Sequence, residues 1–168
     1  MNIEECESYK EFHEECEKMR EKMAHTLVTN EEYDKLIFAA ITSGEITIEY
    51  IMRVLKETGI RYGNLKDVTV EAVKNGTFIC ETKDDLEYEV TINEELQKDL
   101  LEYCNDYSIQ NGIIFTNKNG KVFDTLYFKR KINKLAEKAE LKGKNISIHA
   151  FRHLYMRNIL EEAKKAEN

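Results

Sequence analysis

Five side chains stand where local sequence singles them out for chemistry on a phosphate. Arg61 closes Thr58-Gly59-Ile60-Arg61, just past the expected end of a helix, and Lys83 falls at the expected tip of a hairpin. His149 and Arg152 lie three apart in the first turn of a helix, so both project from one face, and His153 follows at once. Guanidiniums grip non-bridging phosphate oxygens with a planar fork and stay charged at any working pH. An ammonium or an imidazole can then move the proton on the attacking or departing oxygen. Each residue also has an ordinary reading: a surface arginine after a helix, a lysine filling a turn, a cap with its ion pair. His149 and His153 have the i, i+4 spacing of metal ligands, but no third ligand of suitable spacing accompanies them, so the pattern names no metal. Cys6, His13 and Cys16 share a helix only loosely and read as packing residues rather than a zinc site.

The elements that must position these groups follow from periodicity. Residues 3–25 read as an amphipathic helix, with Ile3, Cys6, Tyr9, Phe12, Cys16, Met19 and Met23 spaced by three or four. Thr29-Asn30-Glu31-Glu32 is a capping box opening a helix over 30–42, broken by Ser43-Gly44. A third helix over 46–58 ends at Gly59. The pattern then shifts to short runs rich in β-branched and aromatic residues at 68–73, 77–82 and 86–92. Asn75-Gly76 favours a type I′ turn between the first two, and Lys83-Asp84-Asp85 turns the chain again. Helices follow over about 93–107, 124–140 and 148–164, the first capped by Asn93 and the last by Ser147, with a short buried stretch at 113–115. The expected fold is α+β, mostly helical with a central three-stranded antiparallel β-meander.

The 168 residues are 42% hydrophobic, enough for one domain with its own core and too few for two of full size. No apolar run approaches the roughly 18 residues of a membrane span, and Met1-Asn2-Ile3-Glu4-Glu5 is no secretory signal. Cys6, Cys16, Cys80 and Cys104 form no C-x-x-C pair and read as reduced thiols of a cytoplasmic protein. The net charge of -7 conceals a gradient. Residues 1–34 hold four Lys/Arg against eleven Asp/Glu, 35–116 eight against fifteen, and 117–168 thirteen against six. A basic back end can bind phosphates within an acidic chain, because the local potential decides. A solvated lysine-rich helix is the plainer reading of the same charges.

The order of the singled-out residues resembles the catalytic domain of the tyrosine recombinases, or phage integrases. Leu27-Val28-Thr29-Asn30-Glu31-Glu32-Tyr33 looks like that domain's opening. Glu57-Thr58-Gly59-Ile60-Arg61 matches its first arginine box, and Lys83 follows 22 residues later before a strand, as the family has it. His149-Ala150-Phe151-Arg152-His153 matches the histidine–arginine box, the most specific piece. The resemblance covers about residues 27–163 and divides the chain into an N-terminal helix or linker, 1–26, and an integrase-like domain, 27–168.

That resemblance implies site-specific recombination or integration of double-stranded DNA, the strands broken and rejoined through a phosphotyrosyl link without cofactor or metal. Arg61 and Arg152 would stabilise the transition state, Lys83 would protonate the departing 5′ oxygen, and His149 would assist proton transfer with the nucleophile. His153 would support them from behind, and Lys129, Arg130, Lys131, Lys134 and Lys138 would lie near the DNA backbone. Self-assembly on DNA is implied for a full-length protein. Three departures stand out: Asn64 holds a place usually given to Glu, Val90-Thr91-Ile92 lacks a common proline, and the last family box with its tyrosine has no match after Arg152. The expectation is therefore a catalytic domain truncated at its C-terminus, without a nucleophile of its own and unable to cleave alone. Tyr155 is expected to pack rather than attack. The alternative is a non-catalytic DNA-binding or regulatory protein derived from the same fold.

Overall fold

The computed structural model describes residues 23–168 together with Glu14, Glu17, Lys18 and Glu21. Most of the helix expected over 3–25, with Cys6, His13 and Cys16, lies outside the described residues. Helix α1 (Asn30–Thr42) begins at the expected capping box: the Thr29 hydroxyl accepts from the Glu32 amide at 3.1 Å, and the Glu32 carboxylate accepts from the Thr29 amide at 2.9 Å. Helix α2 (Ile46–Thr58) ends at Gly59, left-handed at φ 68, whose N–H donates to Leu55 O at 3.0 Å. A 3-10 helix (Tyr62–Asp67) then turns the chain away.

The run 68–73, expected as a strand, is mostly helical: α3 spans Val70–Asn75. Both ends of α3 are capped. The Thr69 hydroxyl accepts from the Ala72 amide at 3.1 Å, and Gly76 at φ 77 donates back to Ala72 O and Val73 O. Strand preference for valine reflects packing on a pleated surface, and here Val70 and Val73 are buried by helical spacing instead. Asn75-Gly76 is thus a helix end rather than a hairpin turn, and the sheet has two strands, not three. Strands β1 (Thr77–Glu81) and β2 (Glu87–Thr91) pair antiparallel, with Cys80 opposite Tyr88. Of the missing strand, a single bridge between Thr69 and Ile113 remains.

Helices α4 (Glu94–Asp106) and α5 (Thr125–Lys138) are capped by Asn93 and Asp124, whose side chains accept from Leu96 and Tyr127 amides at 2.8 Å. Helix α6 (Ala150–Ala166) has His149 at its N-cap position, two residues beyond the expected cap Ser147. Ser147 shapes its approach, accepting from the His149 amide at 3.2 Å and, through its carbonyl, from Ala150 at 3.0 Å. Helix α2 lies at the centre, packed against α1, α4, α5 and α6. Its Arg53 guanidinium joins Glu49, Glu57 and, at 2.7 Å, Asp99 of α4. Cys80 and Cys104 are buried free thiols, and burial pushes the Cys80 thiol up to about 11. No helix among the described residues is long and apolar enough to cross a membrane.

Candidate functional site

Each key arginine is held by buried neighbours in sequence. Arg61 lies between Ile60 and Tyr62, which are 0% and 5% exposed, and Arg152 follows the fully buried Phe151. Tyr62 and Phe151 meet the same ring: Phe128 of α5 stands 5.0 Å from Tyr62 and 6.2 Å from Phe151 between centroids. Tyr62 is fixed further by its hydroxyl, which donates to Phe123 O at 2.8 Å. One core aromatic therefore brings together two segments that are far apart in the chain.

Arg61 and Arg152 line one cleft of about 550 Å³, with Thr58, Gly59, Thr82, Tyr88 and Tyr155 among the other walls. The corner at Gly59 joins the two. The Arg152 guanidinium donates to the Gly59 carbonyl, and the Tyr155 ring packs against the glycine. A Cβ at Gly59 would stand 2.8 Å from the ring's Cγ and closer still to two other ring atoms. Only glycine meets both this contact and the left-handed φ. The Arg61 guanidinium has no hydrogen-bond or ion-pair partner among the described residues, which leaves its donors for a ligand. Glu89 also lines the cleft, so its field is not uniformly positive. The Tyr88 hydroxyl is buried without a hydrogen-bond partner among the described residues, beside the weakly polar Cys80 thiol. Chemically, the cleft can hold an anion between two permanently charged forks.

The other expected site residues stand around this cleft rather than in its walls. Lys83 is exposed at the tip of the β1–β2 hairpin, next to the cleft-lining Thr82. His149 is exposed at the start of α6, one turn before Arg152. His153 borders a different groove of about 330 Å³, with Leu27, Lys144 and Arg157. Burial, reinforced by the charges of His149 and Arg152, holds the His153 imidazole below the ordinary histidine range. Asn64 is buried, and its side-chain amide donates to Glu81 O at 3.4 Å.

The basic stripe of α5 divides. Lys131 donates to Glu45 at 2.7 Å, which raises its pKa, and lies over the Tyr127 ring. Lys138 reaches Ser43 Oγ at 3.0 Å. Arg130 and Lys134 are exposed and Lys129 is half-buried. Among the described residues, no group of three or more His, Cys, Asp or Glu is placed to hold a metal. Tyr155 packs as expected, but nothing in the sequence names Gly59 as its partner, and Phe128 carries no local signal of its role. Phe128 lies on the apolar face of α5 with Ile132 and Leu135, a visible pattern that does not reveal what the ring touches.

The chain matches the phage integrase family over residues 26–165. Among solved structures, it is similar to XerA recombinase at 26% identity and TM-score 0.66, covering 82% of this chain and 51% of that one. The lambda integrase catalytic core is matched at 18% identity and TM-score 0.64, over 79% of this chain and 81% of that one. XerH recombinase bound to its difH substrate gives 17% identity and TM-score 0.64, over 82% and 43%. The last two are likenesses of fold, and this chain spans about half the length of the XerA chain. No curated protein sequence matches this one. With its helices around a small antiparallel sheet arranged as in a tyrosine recombinase catalytic domain, the chain belongs to the phage integrase family.

Proposed function

We propose that this chain acts in site-specific breakage and rejoining of double-stranded DNA, with the cleft of Arg61 and Arg152 as the seat of the scissile phosphate. The observation that carries the reading is that these two arginines, from distant segments, line one cleft and meet through Gly59. In the reaction a tyrosine oxygen attacks phosphorus as the bond to the 5′ oxygen breaks, so the phosphodiester energy is kept in a phosphotyrosyl link. Arg61 and Arg152 stabilise the charge on the non-bridging oxygens. Lys83 protonates the departing 5′ oxygen from the hairpin tip, and His149 exchanges the proton of the nucleophile. His153 supports the helix behind them. Lys129, Arg130, Lys131 and Lys134 face the DNA backbone, with Lys131 the weakest contributor because Glu45 already holds it.

Tyr155 is assigned packing, and no tyrosine of this sequence is assigned attack. The functional unit is residues 27–168, preceded by the 1–26 segment, in a cytoplasmic protein that assembles on DNA. The solved relatives include XerH bound to difH substrate and a lambda integrase dimer bound to a core site, which supports DNA as partner and self-assembly upon it. The test is binding of a short duplex by the wild type and by Arg61→Ala. Loss of about tenfold is expected, the worth of one charge-assisted hydrogen bond. Unchanged affinity would remove the cleft from DNA binding. A covalent adduct on a nicked suicide duplex that vanishes in Tyr155→Phe would overturn the packing assignment.

A further inference from the structure

We infer that Tyr155 is a positioning residue: its ring sets the Gly59 corner and thereby aims Arg61 into the cleft beside Arg152. This rests on the reading of the cleft as a phosphate seat. Tyr155 differs from a core aromatic in three ways. It is half-buried and lines the cleft, whereas its neighbour Leu154 is 1% exposed. Its ring lies against Gly59, at a distance that no other residue type would leave open. And it stands three residues after Arg152 on the same helix, so both side chains reach the same corner.

Together the two form a clamp. Arg152 takes the Gly59 carbonyl, and Tyr155 closes on the side where a Cβ would be. Helix α6 is itself anchored by the buried Ala150, Phe151 and Leu154, so the ring is held from behind. On the other side, Ile60 is fully buried, and the chain runs from the clamped glycine through that anchor directly into Arg61. A shift of the corner therefore displaces the Arg61 backbone, while the arginine's own unpaired side chain has no partner among the described residues to restore its aim. The Tyr155 hydroxyl has no hydrogen-bond partner among the described residues, so the ring alone carries the role.

The experiment measures binding of a short DNA duplex at low salt by wild type, Tyr155→Phe, Tyr155→Leu, Arg61→Ala and the Tyr155→Leu/Arg61→Ala pair, with the fold of each checked by circular dichroism. Tyr155→Phe is expected to bind as the wild type does. Tyr155→Leu keeps an apolar side chain but loses the flat ring, and is expected to bind about tenfold more weakly, within what a displacement on the order of 1 Å carries. In the Arg61→Ala background, Tyr155→Leu should add almost nothing, because the group it aims is gone. Wild-type affinity in Tyr155→Leu, or a loss that repeats in full without Arg61, overturns the inference and leaves the cleft intact. Wild-type affinity in Arg61→Ala overturns the cleft reading and this inference with it.

Discussion

Replacing Gly59 with alanine should destabilise the domain through two separable effects. Gly59 sits at φ 68. An L-residue in that region costs about 1–2 kcal/mol. The new Cβ would also stand 2.8 Å from Tyr155 Cγ and nearer to two further ring atoms. Relieving that overlap must move either the ring or the corner, and overpacking of this kind costs about 1–3 kcal/mol. The sum, roughly 2–5 kcal/mol, lowers the melting temperature by roughly 4–20 °C in a domain of this size. Urea unfolding followed by far-ultraviolet circular dichroism reads the change directly; the sequence has no tryptophan to report it. Two companions separate the causes. Gly59→Asn tolerates the left-handed region better but keeps the Cβ, so it should recover only the smaller, backbone part. Gly59→Ala placed in Tyr155→Ala should lose the overlap, giving a coupling of about 1–3 kcal/mol in the double-mutant cycle. A cost below about 0.5 kcal/mol, or an identical cost with and without the ring, would refute the close packing on which the clamp depends.

Three further outcomes are expected. Burial, opposed by Arg53, raises the Glu49 carboxyl above its ordinary value. A carboxyl with its folded pKa above its unfolded one holds its proton more tightly in the fold, so its contribution is present below the unfolded value and is lost as pH rises through the folded one. The stability difference between wild type and Glu49→Gln should therefore shift against the wild type over that rise and then level off, and a difference that moves the other way would contradict the burial. On the α5 surface, removing Lys129, Arg130 and Lys134 together should flatten the log–log salt slope of DNA binding by up to about 2.7, since each phosphate contact contributes about 0.9. Lys131→Ala should leave it nearly unchanged, because Glu45 already neutralises that ammonium. Thr29→Ala should cost about 1 kcal/mol in chemical denaturation through loss of the cap, and a neutral result would show that the Lys144–Glu32 pair holds the helix start unaided.

Much of this fold was legible wherever local chemistry and global packing agree. Thr29 with Glu32, Asn93 and Gly59 each close a helix end by hydrogen bonds confined to a few residues, and those ends fall where the sequence puts them. The run at 68–73 misled because valine, threonine and Asn-Gly carry strand signals, while the decisive facts are Thr69 capping Ala72 and Gly76 ending a helix rather than turning a hairpin. Both glycine readings need a positive φ, so the residue alone could not separate them. Arg61 and Arg152 were legible as a pair from their family-like boxes, but their meeting depends on Phe128 and on a ring lying flush on Gly59. Contacts of that kind join side chains distant in sequence and leave no periodic trace. The division of the basic stripe was hidden for the same reason, since Glu45 and Ser43 belong to the turn before α2.

Lys144 donates to the carbonyls of Ala24 and Leu27, contacts across 120 and 117 residues of chain, while Asn145 and Ser147 donate to His25 and Thr26. Contacts between residues so far apart in the chain raise the contact order of the fold, which slows folding more than it costs stability. Helix α6, with Arg152, emerges directly from these contacts. The cleft is therefore assembled from both ends of the domain: Arg61 comes from the early segment and Arg152 from the last fifth of the chain, and its two arginine walls exist together only where those segments have met.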